Sequence, residues 1–154
     1  MPRQIAVIGA GAGSGDICTL AEEVGREIAK SGSILICGGL GGVMEAAAKG
    51  ARENGGTTVG ILPGTNGGDA NRYIDIKIVT GMGHARNAII ASTADALIAV
   101  GGEYGTLSEI ALGLKSKKRV VVLKNQGVGP PADVPGVIFA KTPREAVEMA
   151  LSGK

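Results

Sequence analysis

The chain is poor in rings. Its 154 residues hold three aromatic side chains, Tyr73, Tyr104 and Phe139, and a single histidine, His84. With a formal net charge of +2, it has neither a stacking platform for bases nor a cationic field for a phosphate backbone, so no nucleic-acid partner is expected. The basic run "KSKKR", Lys115 to Arg119, reads instead as the end of a helix whose carbonyls it complements. Cysteine is scarce as well. Cys18 and Cys37 stand too far apart for a CxxC site, and each lies beside an apolar run, which reads as reduced core thiols in a cytosolic protein. One histidine makes no metal cluster and supports no Ser/His/Asp arrangement, so no metal is expected and His84 reads as a solvent-exposed or hydrogen-bonded structural residue. No apolar run reaches membrane-spanning length, and the apolar stretch near Met1 is too short for a signal peptide. The expectation is a soluble, cytoplasmic protein with no membrane partner.

What the chain does have is glycine, 27 residues of it, gathered behind short apolar runs. Apolar residues make up 44% and charged residues 19%, a balance that fits a single domain over 1–154 with a proper core. The apolar runs fall at 5–9, 34–37, 58–62, 76–79, 96–100, 120–123 and 136–139. Helical patterns lie between them. Ile17, Leu20, Ala21, Val24 and Ile28 share one stripe, and Leu107, Ile110, Ala111 and Leu114 share another. Strand and helix alternate, which predicts an α/β fold: a doubly wound, largely parallel, Rossmann-like sheet buried on both faces by helices, with ligands bound beyond the carboxyl ends of the strands. Two segments lack periodicity, 63–75 and 124–136, the first where a crossover helix would be expected. The segment "TPREAVEMAL" predicts a helix with Thr142 as N-cap, Pro143 in its first position and Glu145 completing a capping box.

Four glycine loops follow strands: "GAGAGSGD", "GGLGGVME", "TGMGHARN" and "GGEYGTLSE". A helix opening after such a loop offers free backbone N–H groups and a positive dipole end, which together suit a phosphate. On this ground Gly11, Gly13 and Ser14 of the first loop, Gly38, Gly39 and Gly41 of the second, and Gly102, Gly105 and Thr106 of the last are candidate ligand- or phosphate-binding residues. The first loop runs Gly9, Gly11 and then Ser14, which breaks the GxGxxG spacing, and no acidic residue ends the second strand to hold a ribose. No GxxxxGK[ST] occurs. Neither NAD binding nor a P-loop is therefore supported. Glu109 can be read in two ways, as a carboxylate one turn inside the helix and facing the ligand, or as the partner of Thr106 in a capping box, "TLSE". Arg86 opens a helix, where a cation gains nothing from the dipole, so it is either a surface arginine or one placed to hold an anion at the mouth of the sheet.

Together these residues resemble the Lonely Guy family, phosphoribohydrolases that release a cytokinin base from its nucleoside 5'-monophosphate and are often mislabelled lysine decarboxylases. The family's PGGxGTxxE motif is similar to "GGEYGTLSE", Gly101 to Glu109. Its arginine–lysine pair is similar to Arg86 and Asn87, and its second-strand glycine loop to "GGLGGVMEAAA". The resemblance implies Glu109 and Arg86 as catalytic residues, with Glu109 beside the anomeric carbon and Arg86 orienting the ribose phosphate. It further implies amides around Gly102 to Thr106 on the phosphate, no cofactor, and a homo-oligomer. Lysine decarboxylation would need a pyridoxal-bearing lysine, which nothing here supports. Gly101 stands where the family has proline, Glu103 where it has glycine, Glu45 where the loop commonly has glycine, and Asn87 where it has lysine. If Glu103, Glu45 and Asn87 all face the mouth, it is about three charges more negative than the family's. The pattern is also similar to the molybdenum cofactor carrier branch of the same superfamily, which binds and protects a pterin phosphate without hydrolysing it. Two functions follow from the resemblance: an N-glycosidic hydrolase acting on a nucleotide, and a non-catalytic carrier. Arg86 and Glu109 favour the first, Glu103 and Asn87 the second, with the enzyme slightly ahead.

Overall fold

The computed structural model describes residues 1–13, 15–124 and 134–153. Seven strands and five helices follow one another as β1 (Gln4–Gly9), α1 (Gly15–Lys30), β2 (Ile34–Cys37), α2 (Val43–Glu53), β3 (Thr58–Leu62), β4 (Ile76–Val79), α3 (Arg86–Thr93), β5 (Ala96–Val100), α4 (Tyr104–Lys115), β6 (Arg119–Leu123), β7 (Ile138–Ala140) and α5 (Pro143–Leu151). They form one sheet in the order β4-β3-β2-β1-β5-β6-β7, with every neighbouring pair parallel. The doubly wound, Rossmann-like fold read from the β-α alternation is the fold observed. Strand ends shift by two residues at most, as with β7, which begins at Ile138 where the apolar run begins at Gly136.

Alternating side chains along each central strand feed two cores. Ile5 and Val7 of β1 pack with Leu35, Ile98 and Val100 beneath α1, α2 and α5. Ala6 and Ile8 turn the other way and pack with Ile36, Leu97, Ala99, Ile90 and Ile110 beneath α3 and α4. Helices α1 and α2 pack backbone to backbone: a Cβ at Gly25 would overlap the carbonyl of Ala47, and one at Gly50 the carbonyl of Glu22. Thr142 is the N-cap of helix α5 and Pro143 its first residue, as the sequence predicts, but Glu145 reaches to the amide before the cap and not to that of Thr142. The Thr142 hydroxyl accepts from Glu145 N at 3.1 Å, and Glu145 Oε2 accepts from Lys141 N at 3.1 Å.

One expectation fails at the sheet's edge. The four residues of β4 are all exposed, not buried on both faces. Segment 63–75 carries only a 3-10 turn, Gly67–Asp69, so no crossover helix covers that strand, and Ile76, Ile78 and Val79 stay open to solvent. The segment serves the neighbouring loop instead. Asn71 N donates to the carbonyl of Gly39 at 2.9 Å and Asn71 Nδ2 to that of Leu40 at 2.8 Å, fastening it to the glycine loop after β2. Much of segment 124–136 lies outside the described residues.

The order of strands fixes where a ligand can sit. From β1 the chain winds outward through β2, β3 and β4, then returns to β5 on β1's other side and winds outward again. Gly9 and Val100, at the carboxyl ends of β1 and β5, are register partners. The loops leaving them diverge to opposite sides of the sheet and leave a crevice at this switch point.

Candidate functional site

The loop after β5 makes the first wall of the crevice. Gly101 and Gly102 have φ of 63° and 135°, conformations that a residue with a Cβ rarely adopts, and a Cβ at Gly102 would come within 2.6 Å of Thr106 Cβ. The tight turn starts α4 at Tyr104, with the extended Glu103 at the N-cap and no side-chain cap hydrogen bond. Thr106 is thus already inside the helix, and the capping-box reading of "TLSE" is wrong. The buried stripe of α4 is Thr106, Glu109, Ile110 and Gly113. Of the expected stripe only Ile110 is fully buried, Leu107 and Leu114 are half-buried, and Ala111 is exposed. Gly113 explains the rotation: it lies so close to β5 and β6 that a Cβ there would stand 3.1 Å from Leu97 Cδ1 and Val120 Cγ2. Anchored on that point, the helix turns Thr106 (3% exposed) and Glu109 (8% exposed) inward.

Arg86 is the second component. It is the first residue of α3, and it is buried at 9% exposure, with Asn87 buried beside it. The surface-arginine reading does not hold. Its guanidinium crosses the end of β2 above Gly38, with Met44 alongside. Its Nε is buried and has no hydrogen-bond partner among the described residues. Among those residues no carboxylate lies within ion-pair distance of it. A desolvated cation with an unused donor is costly unless an anion completes it.

Arg86, Glu109 and Cys37 feel one another. Burial pushes the Glu109 carboxyl up to about 7, and the Arg86 charge opposes that rise. Burial lowers the Arg86 guanidinium, with Glu109 and then Cys37 opposing. The Cys37 thiol is raised to about 11, first by burial and further by Glu109, against a backbone hydrogen bond at Gly39 and the charge of Arg86. Near neutral pH Cys37 is therefore a neutral thiol and no nucleophile, whereas Glu109 stands poised between acid and carboxylate.

The first two glycine loops close the floor. Val43 N donates to the carbonyl of Ala10 at 3.0 Å, joining them at the start of α2. Gly38 and Gly39 are buried, Gly41 and Gly13 half-buried, and Gly11 exposed, its would-be Cβ 3.8 Å from Met44 Cε. Ser14 lies outside the described residues. Gly105 is exposed on the outer face of α4, with open space where a Cβ would stand. His84 is exposed in the 3-10 turn Gly83–Ala85 that precedes Arg86. The three charge departures sit in different surroundings. Asn87 is buried next to Arg86, Glu103 is exposed, and Glu45 lines a cavity of about 480 Å³ with Gly13 and Gly42 of the first two glycine loops and with Lys49, Arg72 and Tyr73. The sequence reading missed Met44 and Asn71, because their roles come from the spatial approach of loops distant in sequence.

A parallel doubly wound sheet gathers these glycine loops and the buried Arg86 at the carboxyl ends of its strands, where sheets of this kind bind their ligands. Residues 2–149 match the model of the SLOG cluster4 family, and the chain belongs to that family. An uncharacterized protein of Archaeoglobus fulgidus is 52% identical over 149 residues, 97% of this chain and 95% of that one. The solved structure of the molybdenum cofactor binding protein from Rippkaea orientalis is 35% identical with a TM-score of 0.89, covering 99% of this chain and 97% of that one. A cytokinin riboside 5'-monophosphate phosphoribohydrolase of Rhodococcoides fascians is 36% identical over 119 residues, 70% of this chain; the match spans 60% of that enzyme's length. Similarity thus reaches both branches suggested by the motifs.

Proposed function

We propose that this protein binds a phosphorylated small molecule, a pterin monophosphate of the molybdenum-cofactor type, in the crevice at the carboxyl ends of β1, β2 and β5, and holds it without turnover. The observation that carries the reading is Arg86, a buried cation whose Nε has no partner among the described residues. A phosphate oxygen supplies what that group lacks, in a charge-assisted hydrogen bond. The amides of the Gly101–Thr106 turn would take the remaining oxygens. The choice of ligand rests on extent of likeness: the Rippkaea orientalis cofactor-binding protein resembles the chain over 99% of its length, the Rhodococcoides fascians enzyme over 70%. That difference reverses the slight lead that the motifs alone give to hydrolysis.

Phosphoribohydrolase activity remains the second reading, favoured by one observation, the buried Glu109 poised near 7 beside Arg86. A carboxylate there could stabilise an oxocarbenium-like transition state at an anomeric carbon. Incubation with a panel of nucleoside 5'-monophosphates, read by chromatography for free base and ribose 5-phosphate, separates the two. Saturable binding of pterin monophosphate with no base released from any nucleotide is the expected result. Base release that is abolished in Glu109→Gln would establish the enzyme instead.

A further inference from the structure

The chain leaves β2 through two glycines that serve different ends. Gly39 has φ of 77°, so its backbone conformation calls for glycine. Gly38 is not among the positive-φ residues, so its backbone would accept an alanine. What excludes a side chain at 38 is its surroundings. A Cβ there would overlap Nη1 of Arg86, lie 2.9 Å from Arg86 Cζ, and lie 2.6 Å from Met44 Sδ. All three atoms sit at or near the ends of flexible side chains, which can swing aside while the packed backbone stays in place. An added methyl group would therefore disturb the fold little and the position of the guanidinium greatly.

We infer that Gly38 is a positioning residue for Arg86: the missing side chain leaves the seat in which the guanidinium lies over the end of β2 alongside Met44, its Nε buried and its charge near Glu109. The inference rests on the proposed role of Arg86 as the anion-holding group. It assigns Gly38 a task other than lending an amide to phosphate. The seat also accounts for the burial of a cation on the first residue of a helix, where the dipole gives it no support.

The test needs a readout that a merely structural glycine would not move. In Gly38→Ala, the Glu109 carboxyl followed by carbon-13 NMR should titrate at a higher pH than in the wild type, because the cation opposing its rise has moved away. The Arg86 Nε–H should exchange faster with solvent. The melting temperature should stay within about 3 °C, while affinity for adenosine 5'-monophosphate, the calorimetric probe, falls about tenfold or more. In an Arg86→Lys background, where no planar group occupies the seat, the same alanine should weaken binding by less than about threefold. Should the single variant fail to fold, Gly38→Ala with Met44→Ala removes the other overlapping group and carries the same measurements. An unchanged Glu109 titration and unchanged Arg86 exchange would overturn the inference, as would equal losses of affinity in the two backgrounds. A shifted Glu109 titration in Gly38→Ala, together with a wild type that binds no phosphorylated probe, would uphold the seat and overturn the ligand reading.

Discussion

At the scale of single residues, the site spends stability for function, and the expense can be measured. Below pH 4.5 the Glu109 carboxyl is neutral in the folded and unfolded chains alike. Between there and about 7 the unfolded chain releases a proton that the folded chain keeps. Stability therefore falls as pH rises through that window, by on the order of 3 kcal/mol, and the loss is complete above it. Glu109→Gln should flatten this dependence and be the more stable protein at pH 8, as urea unfolding at pH 5 and pH 8 would reveal. A variant less stable than wild type at both pH values would refute the desolvated carboxyl. At pH 5, where the folded Glu109 is protonated and does not need the cation, Arg86→Met should be no less stable, since it replaces a buried cation whose Nε has no partner among the described residues with an apolar chain of similar length. We expect a melting temperature at that pH equal to or above that of the wild type and a loss of ligand. Arg86 was half legible in the sequence, where a cation at a helix start stood out. Its burial was not, because that depends on Gly38, far away in the chain. Glu109 was ambiguous for a different reason: a capping box and an inward-facing Thr-x-x-Glu pair have the same spelling, and only the start of α4 at Tyr104 separates them.

At the scale of elements, propensity and pattern placed nearly every strand and helix, and the exceptions have local causes. The α4 stripe was read from its leucines, but Gly113, pressed against β5 and β6, sets the rotation of the helix. Strand β4 was recognised by its apolar residues, but its exposure follows from the absent crossover helix in 63–75, where turn residues replace a helical pattern. The turn from α4 to β6 carries a testable strain. Lys117 has φ of 57°, the one positive φ outside glycine among the described residues. Lys118 N donates to Gly113 O at 2.9 Å, and Lys117 N to Leu114 O at 2.9 Å. This is a helix end of the Schellman kind, whose left-handed position favours glycine. Lys117→Gly should raise stability by about 0.5–1 kcal/mol in chemical denaturation; a decrease would mean that the lysine side chain holds something the backbone does not reveal.

At the scale of the whole molecule, the strand order was legible in outline because right-handed β-α-β crossovers allow few alternatives. The meeting of four loops at one mouth followed from it. What the sequence could not supply was the mutual distances: which loop touches which, and that Glu45 shares a cavity with Gly13, Gly42, Lys49 and Arg72. The family resemblance also implies a homo-oligomer, and the open β4 edge, with Ile76, Ile78, Val79 and Met82 exposed, is compatible with one. Light scattering at micromolar concentration should find an assembly larger than 15.3 kDa, and a stable monomer would remove that expectation. The central claim, that the mouth of the sheet is an anion-binding site organised by Arg86, is tested most directly by calorimetric titration of wild type and Arg86→Met with a pterin monophosphate. Saturable binding by the wild type, weakened about a hundredfold in an equally stable variant, is the predicted result; equal affinity in the two proteins would contradict it.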